Sequence, residues 1–138
     1  QEVSLSSFNG RPVLILFFPL AFTSVCTKEL CAVRDDIAKY NQLNVQILAI
    51  SVDSLYTLNK YKEDQHLNFP LLSDFNKEAA SAYGVLYDTF PAFEMQGVSK
   101  RAAFVIDKEG VVRYAEVCPT PGDLPNFEAI QQTLNSLN

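Results

Sequence analysis

The sequence has little that ligates metal. It holds one histidine and three cysteines in 138 residues. A zinc site needs about four Cys or His ligands in close pairs, and His66 stands alone in "DQHLNF". No metal and no cofactor is therefore expected. Three cysteines are also too few, and odd in number, for a secreted scaffold held by disulfides, which leaves redox chemistry or simple burial. Positive charge is short: 11 Lys and Arg stand against 16 Asp and Glu, a net charge of -5. That balance argues against nucleic acid or an anionic membrane surface as partner. No apolar run approaches the roughly 20 residues that cross a bilayer. The opening "QEVSLSSFNG" lacks the basic-then-apolar pattern of a signal peptide. The cytoplasm is the expected location, although a mature exported chain would read the same way. Repeats, low-complexity tracts and linkers are lacking too, and the length fits a single domain over 1–138.

What is present is ordinary globular material, 48% hydrophobic and 20% charged, enough to bury a core. "PVLILFFP" (Pro12 to Pro19) is an unbroken apolar run bounded by prolines and reads as a strand buried on both faces. A helix is expected from about Thr23 to Tyr40, where Leu30, Val33, Ile37 and Tyr40 recur at helical spacing. A second buried strand follows at Val45 to Asp53, then a helix from Ser54 to Gln65 with Ser54 as N-cap. A short strand over Phe69 to Asp74 and a short helix over Asn76 to Gly84 come next. "AAFVIDKEGVVRYAEV" is a hairpin turning at "DKEG", and Asp123 to Leu137 is a closing amphipathic helix. Strands alternating with helices, then a hairpin and a helix, imply an α/β sandwich whose mixed central sheet is covered on both faces.

The chemistry concentrates in "FFPLAFTSVCTKELCAVR", Phe17 to Arg34. With Thr23 or Ser24 as N-cap, Cys26 falls in the first helical turn. Unpaired backbone N–H groups and the positive end of the helix dipole favour an anion there, and the thiolate is the reacting form of cysteine. A buried, inert helix cysteine is the competing reading, since free cysteine is among the most buried residue types. Phe17, Phe18 and Phe22 read as core or pocket wall. His66 reads as a surface residue without a role.

The Pro19-x-x-x-Thr23-x-x-Cys26 spacing between a buried strand and a helix, with Arg101 in "GVSKRAAFVID" just before another buried strand, resembles the active-site pattern of the peroxiredoxins. "ISVD" and "FPLLSD" also fall where that family has such segments, and the likeness covers nearly the whole chain. "FFPLAFTSVCTKEL" and "RAAFVIDKEGVVRYAEV" look most like the alkyl hydroperoxide reductase E-type branch. The spacing of Cys26 and Cys31 is also that of the peroxiredoxin Q (bacterioferritin comigratory protein) branch. Members of the family usually carry a further N-terminal segment ahead of the "VSLSSFNGRPV" equivalent, which this sequence does not include.

The resemblance implies a thioredoxin-like three-layer sandwich and thiol-dependent reduction of hydrogen peroxide and organic hydroperoxides. It implies Cys26 as the attacking sulfur. Thr23 would hold the peroxide or thiolate, Arg101 would stabilise charge, and Pro19 would shape and shield the pocket. Without it, Arg101 reads as a solvated charge beside Lys100, and Thr23 as an N-cap only. Glu29 is a proton relay on the family pattern, or else a surface acid favoured by the helix dipole. Cys31 is the nearer resolving thiol and otherwise a core residue; Cys118 is a second, weaker candidate and otherwise a bystander. The expected reductant is a thioredoxin-like partner or a low-molecular-weight thiol, and a homodimer or a higher oligomer is compatible. Two other functions stay open: a thioredoxin-like disulfide oxidoreductase, which normally needs Cys-x-x-Cys, and a binding module of the same fold without catalysis. On one intact helix Cys26 and Cys31 would have Cα atoms about 8–9 Å apart, whereas a disulfide needs them within about 7 Å. Linking them therefore requires the helix start to unwind.

Overall fold

The apolar run Val13–Phe17 forms β1, with all five residues buried. Because successive side chains of a strand point to opposite faces, a strand buried throughout must be covered on both, and it is. In this computed structural model, which describes residues 3–137, the termini of the expected 1–138 domain lie outside the described residues. A short 3-10 turn at Leu5–Phe8 precedes β1. After it come α1 (Ser24–Asp35), α2 (Ile37–Gln42), β2 (Gln46–Ser51), α3 (Leu55–Asp64), β3 (Leu71–Ser73) and α4 (Glu78–Ala82). The hairpin β4 (Ala102–Ile106) and β5 (Val112–Val117) and the final helix α5 (Phe127–Ser136) complete the chain.

The strands form one five-stranded sheet in the order β3-β2-β1-β4-β5. β1 pairs in parallel with β2, and β2 with β3, while β4 runs antiparallel to β1 and to β5. Leu14, Leu16 and Phe18 join Leu30 and Val33 of α1, Tyr40 of α2, Leu58 and Tyr61 of α3, and Ile130 and Leu134 of α5 in one buried cluster. Val13, Ile15 and Phe17 face the other way, against Ala80 of α4 and Val85, with Phe8 packed alongside. The mixed sheet with helices on both faces agrees with the expected three layers.

Three expectations need correction. The closing helix expected from Asp123 begins only at Phe127, where Asn126 Oδ1 accepts from the Ala129 N–H and caps it. The helix expected over Thr23 to Tyr40 is two helices, because α1 stops at Asp35 and Asp36 links it to α2 with φ -99 and ψ 15. Paired acids at the negative end of a helix disfavour its extension, while an acid at the start of a new one is favoured; Asp36 occupies both positions. The strand expected over Phe69 to Asp74 is only three residues long, because beyond Ser73 the Asp74 side chain turns the chain by accepting from the Ala79 and Ala80 backbone N–H groups at 3.0 and 2.7 Å. The hairpin turns where expected: Gly110 takes φ +87, and Asp107 Oδ1 accepts from the N–H groups of Glu109 and Val111. These bonds, with the Arg113 guanidinium, hold the Asp107 carboxyl below the usual carboxylate range.

Candidate active site

The site lies beyond the carboxyl end of β1, where a parallel neighbour on one side gives way to an antiparallel one on the other. Ligand sites of open α/β sheets favour such ends. The chain leaves β1 through Pro19 and turns through Phe22, a non-glycine residue at φ +63. It enters α1 with Thr23 as N-cap in extended conformation. The Thr23 hydroxyl does not cap the helix; it donates to Leu20 O at 2.7 Å, which leaves its oxygen lone pairs free to accept. The Ala21 N–H donates to Asp53 Oδ2 at 2.8 Å, and Ser51 Oγ donates to the same oxygen at 2.7 Å. The loop before the helix is thereby tied to the end of β2.

Cys26 is 1% exposed in the first turn of α1, where backbone N–H groups have no intrahelical partner. Arg101 directly precedes β4. Since Phe17 pairs with Ala102, the antiparallel register brings Arg101 to the same end of the sheet. It is not the solvated charge its neighbour Lys100 suggests, but 1% exposed. Its Nη1 donates to Cys26 Sγ at 3.3 Å and to Glu29 Oε1 at 2.7 Å, and its Nη2 donates to Pro121 O at 2.8 Å. Burial works against the guanidinium charge, yet Glu29 and Cys26 outweigh it and raise the Arg101 pKa.

Glu29 is fully buried, so it is not a surface acid. Burial pushes its carboxyl up to about 7, against the lowering by Arg101. Among the described residues its Oε2 and the Nε of Arg101 are buried without a hydrogen-bond partner. A cavity of about 240 Å³ opens onto Cys26 and is lined among others by Pro19, Thr23, Arg101, Phe90 and Pro121. Four residues named from the sequence, Pro19, Thr23, Cys26 and Arg101, thus share one pocket with the Glu29 carboxyl behind them.

The other two cysteines stand apart from that cavity. Cys31 is half-buried one turn further along α1, its thiol 3.6 Å from Gln65 Oε1. Cys118 is buried just after β5, its N–H bonded to Arg101 O at 2.8 Å. Burial first, then the charge of Glu116, pushes its thiol up to about 11, which leaves little thiolate for attack on a sulfenic acid. Phe17 and Phe18 are fully buried, whereas Phe22 is exposed and leans on the Tyr61 ring at 4.9 Å. His66 is exposed. Phe90 and Pro121 are parts of the site that no spacing signal marks, whereas Asp53, part of its support, closes the "ISVD" segment.

A five-stranded mixed sheet between helices, with a cysteine in the first helical turn after a central strand, defines a thioredoxin-like protein. The structure superposes on a reduced 2-Cys peroxiredoxin from Plasmodium vivax with a TM-score of 0.85 at 31% identity, covering 97% of this chain and 82% of that one. It superposes on peroxidoxin BcpB from Mycobacterium tuberculosis with a TM-score of 0.83 at 27% identity, covering 97% and 85%. In sequence it is 36% identical over 141 residues to peroxiredoxin-2 of Bos taurus, covering 97% of this chain and 66% of that protein. The family model described as AhpC/TSA family matches residues 1–115. The chain belongs to the AhpC/TSA family. It spans about half to two thirds of the length of the curated relatives it matches first.

Proposed function

We propose that this chain is a thiol-dependent peroxidase that reduces hydrogen peroxide and organic hydroperoxides through Cys26. The observation that carries the reading is the Arg101 Nη1 shared between Cys26 Sγ and Glu29 Oε1 at the floor of a small pocket. The Cys26 sulfur attacks one peroxide oxygen, an S–O bond forms, the O–O bond breaks, and the departing oxygen leaves as water or alcohol once protonated. Charge developing on that oxygen meets the guanidinium and the free N–H groups of the first helical turn, donors fixed before the reaction starts. The Thr23 oxygen accepts a hydrogen bond from the peroxide and aligns it, and Pro19 keeps water from the sulfur. Glu29, with its carboxyl near neutrality, stores the proton that the departing oxygen takes up, as suits an acid–base group.

Cys26 is left as a sulfenic acid. Cys31 attacks it, an S–S bond forms, and water leaves. A thioredoxin-like dithiol or a low-molecular-weight thiol then reduces the disulfide. The spacing of the two cysteines supports the peroxiredoxin Q branch, and Cys118 is assigned no step. β5 is a sheet edge with Val112 and Val117 exposed, and unpaired strand edges of this kind support association of two copies. Among the described residues no helix is long and apolar enough to cross a membrane.

The test is peroxide consumption by the reduced protein. Cys26→Ser should abolish it; Cys31→Ser should keep the first step but need an external thiol for every further turnover. Retained activity in Cys26→Ser refutes the reading. Reduction of insulin disulfides without peroxide consumption would point instead to a disulfide oxidoreductase.

A further inference from the structure

Resolution by Cys31 requires the first turns of α1 to come apart, so whatever holds those turns sets how fast resolution can be. The pocket residues do not hold them alone. One side of α1 is tied to α3 and to its C-cap residue Gln65 at three successive levels. Thr27, the residue after Cys26, shares a 2.7 Å hydrogen bond between its hydroxyl and that of Tyr61. One turn on, the Cys31 thiol donates to Gln65 Oε1 at 3.6 Å. One turn further, Arg34 Nη1 donates to Gln65 O at 2.7 Å.

The Tyr61 ring also touches the loop before the helix. Phe22, held in the left-handed region, packs on it with ring centroids 4.9 Å apart, and Phe18 lies 6.3 Å away on its other contact. Tyr61 is fully buried, and burial pushes its phenol up to about 12, so the hydroxyl stays neutral throughout the working range. The chain thus meets α3 on both sides of Cys26, at Phe22 and at Thr27, and the second thiol is engaged by that helix's C-cap residue.

We propose that Tyr61 and Gln65 are positioning residues for the resolving step: they lash the reduced, helical form of α1 to α3 and so set how Cys26 sulfenic acid divides between disulfide and further oxidation. This rests on the thiol-peroxidase reading. Bringing Cys26 to Cys31 must break the Thr27–Tyr61 bond, because Thr27 lies between the two cysteines, and must release Cys31 from Gln65. Neither Tyr61 nor Gln65 lines the peroxide pocket, so the lash acts on the second step and leaves the first alone. While it holds, Cys26 sulfenic acid stays in the pocket, where a second peroxide converts it to sulfinic acid with release of water or alcohol.

Tyr61→Phe keeps the ring and its packing and removes only the hydroxyl. A net hydrogen bond lost from the helical state should speed formation of the Cys26–Cys31 disulfide roughly two- to tenfold. The sulfinic fraction at fixed excess peroxide should fall correspondingly. The rate of the first step should stay within about twofold of the parent, because the pocket is untouched. Gln65→Met, which keeps the Arg34 bond to the backbone carbonyl, should act in the same direction. Rapid-mixing kinetics give the two rates, and intact-mass spectrometry gives the sulfinic fraction. Unchanged disulfide rates in both variants overturn the lash, as does an equal change in both steps, which is what a purely structural role would produce. A parent protein that consumes peroxide but forms no Cys26–Cys31 link overturns the lash and the assignment of Cys31 while leaving the peroxidase reading. A parent that consumes no peroxide overturns that reading itself.

Discussion

At the scale of single residues, Arg101 carries the most. Its burial would be costly without partners, and it has three: a sulfur, a carboxyl and a backbone carbonyl. Arg101→Ala should lower the second-order rate with peroxide by roughly 10²–10³, the usual loss when a fixed donor to a developing oxyanion is removed. Arg101→Lys should recover only part of it, since one ammonium cannot reproduce the planar fork that serves Cys26, Glu29 and Pro121 together. Equal rates in parent and Arg101→Ala, measured by peroxide-dependent sulfenate formation, would refute the role. This residue also shows what was legible in the sequence. Its placement before a buried strand was visible as a motif, but its burial was not, because the Lys100–Arg101 pair looks like any solvated charge pair. Glu29 is similar: its helical spacing from Cys26 places it in the first turns, yet only the packing of α1 on the sheet buries it. Pro121 and Phe90 enter the pocket from loops whose composition carries no such signal.

At the scale of elements, the strands were the most readable, since unbroken apolar runs bounded by Pro or Asp admit few alternatives. The end of α1 was less so. Apolar spacing continues from Val33 through Ile37 to Tyr40, and that periodicity persists across Asp36 because α1 and α2 pack against the same side of the sheet. The break lies in backbone electrostatics, to which hydrophobic periodicity is blind. The start of α3 was legible in sequence and can be tested. Ser54 Oγ accepts from the Thr57 N–H at 3.2 Å. Ser54→Ala should therefore cost about 1 kcal/mol of stability, as loss of an N-cap side chain typically does, read as a lower urea midpoint. Because α3 carries Tyr61 and is capped by Gln65, fraying of its first turn should leave the disulfide rate nearly unchanged if those residues, and not the whole helix, form the tie to α1. Stability unchanged in Ser54→Ala would show that the helix start is held by its packing alone.

At the scale of the whole molecule, the buried charge cluster makes stability depend on pH. Glu29 has its folded pKa raised from 4.5 to about 7, chiefly by burial. A raised pKa means the folded state holds its proton more tightly than the unfolded chain does. The favourable contribution is therefore complete below about pH 4.5, and it is lost as pH rises through about 7. A tenfold difference in proton affinity is worth about 1.4 kcal/mol, so full ionisation of Glu29 costs the fold on the order of 3 kcal/mol. Asp107 acts in the opposite sense: its pKa is lowered, and its contribution is present at neutral pH and lost on acidification. The two together contribute most between the ordinary carboxyl values of 3.8 for Asp107 and 4.5 for Glu29. Glu29→Gln keeps a neutral group of the same shape beside Arg101 and removes the titration. Between about pH 5 and pH 8 the urea midpoint of the parent should fall while that of Glu29→Gln stays nearly level. In peroxide reduction the same variant should lose the proton store and slow departure of the leaving oxygen, most clearly below about pH 7, where the parent carboxyl is protonated. Parallel pH profiles of stability in the two proteins would show that Glu29 is ionised throughout and held entirely by Arg101.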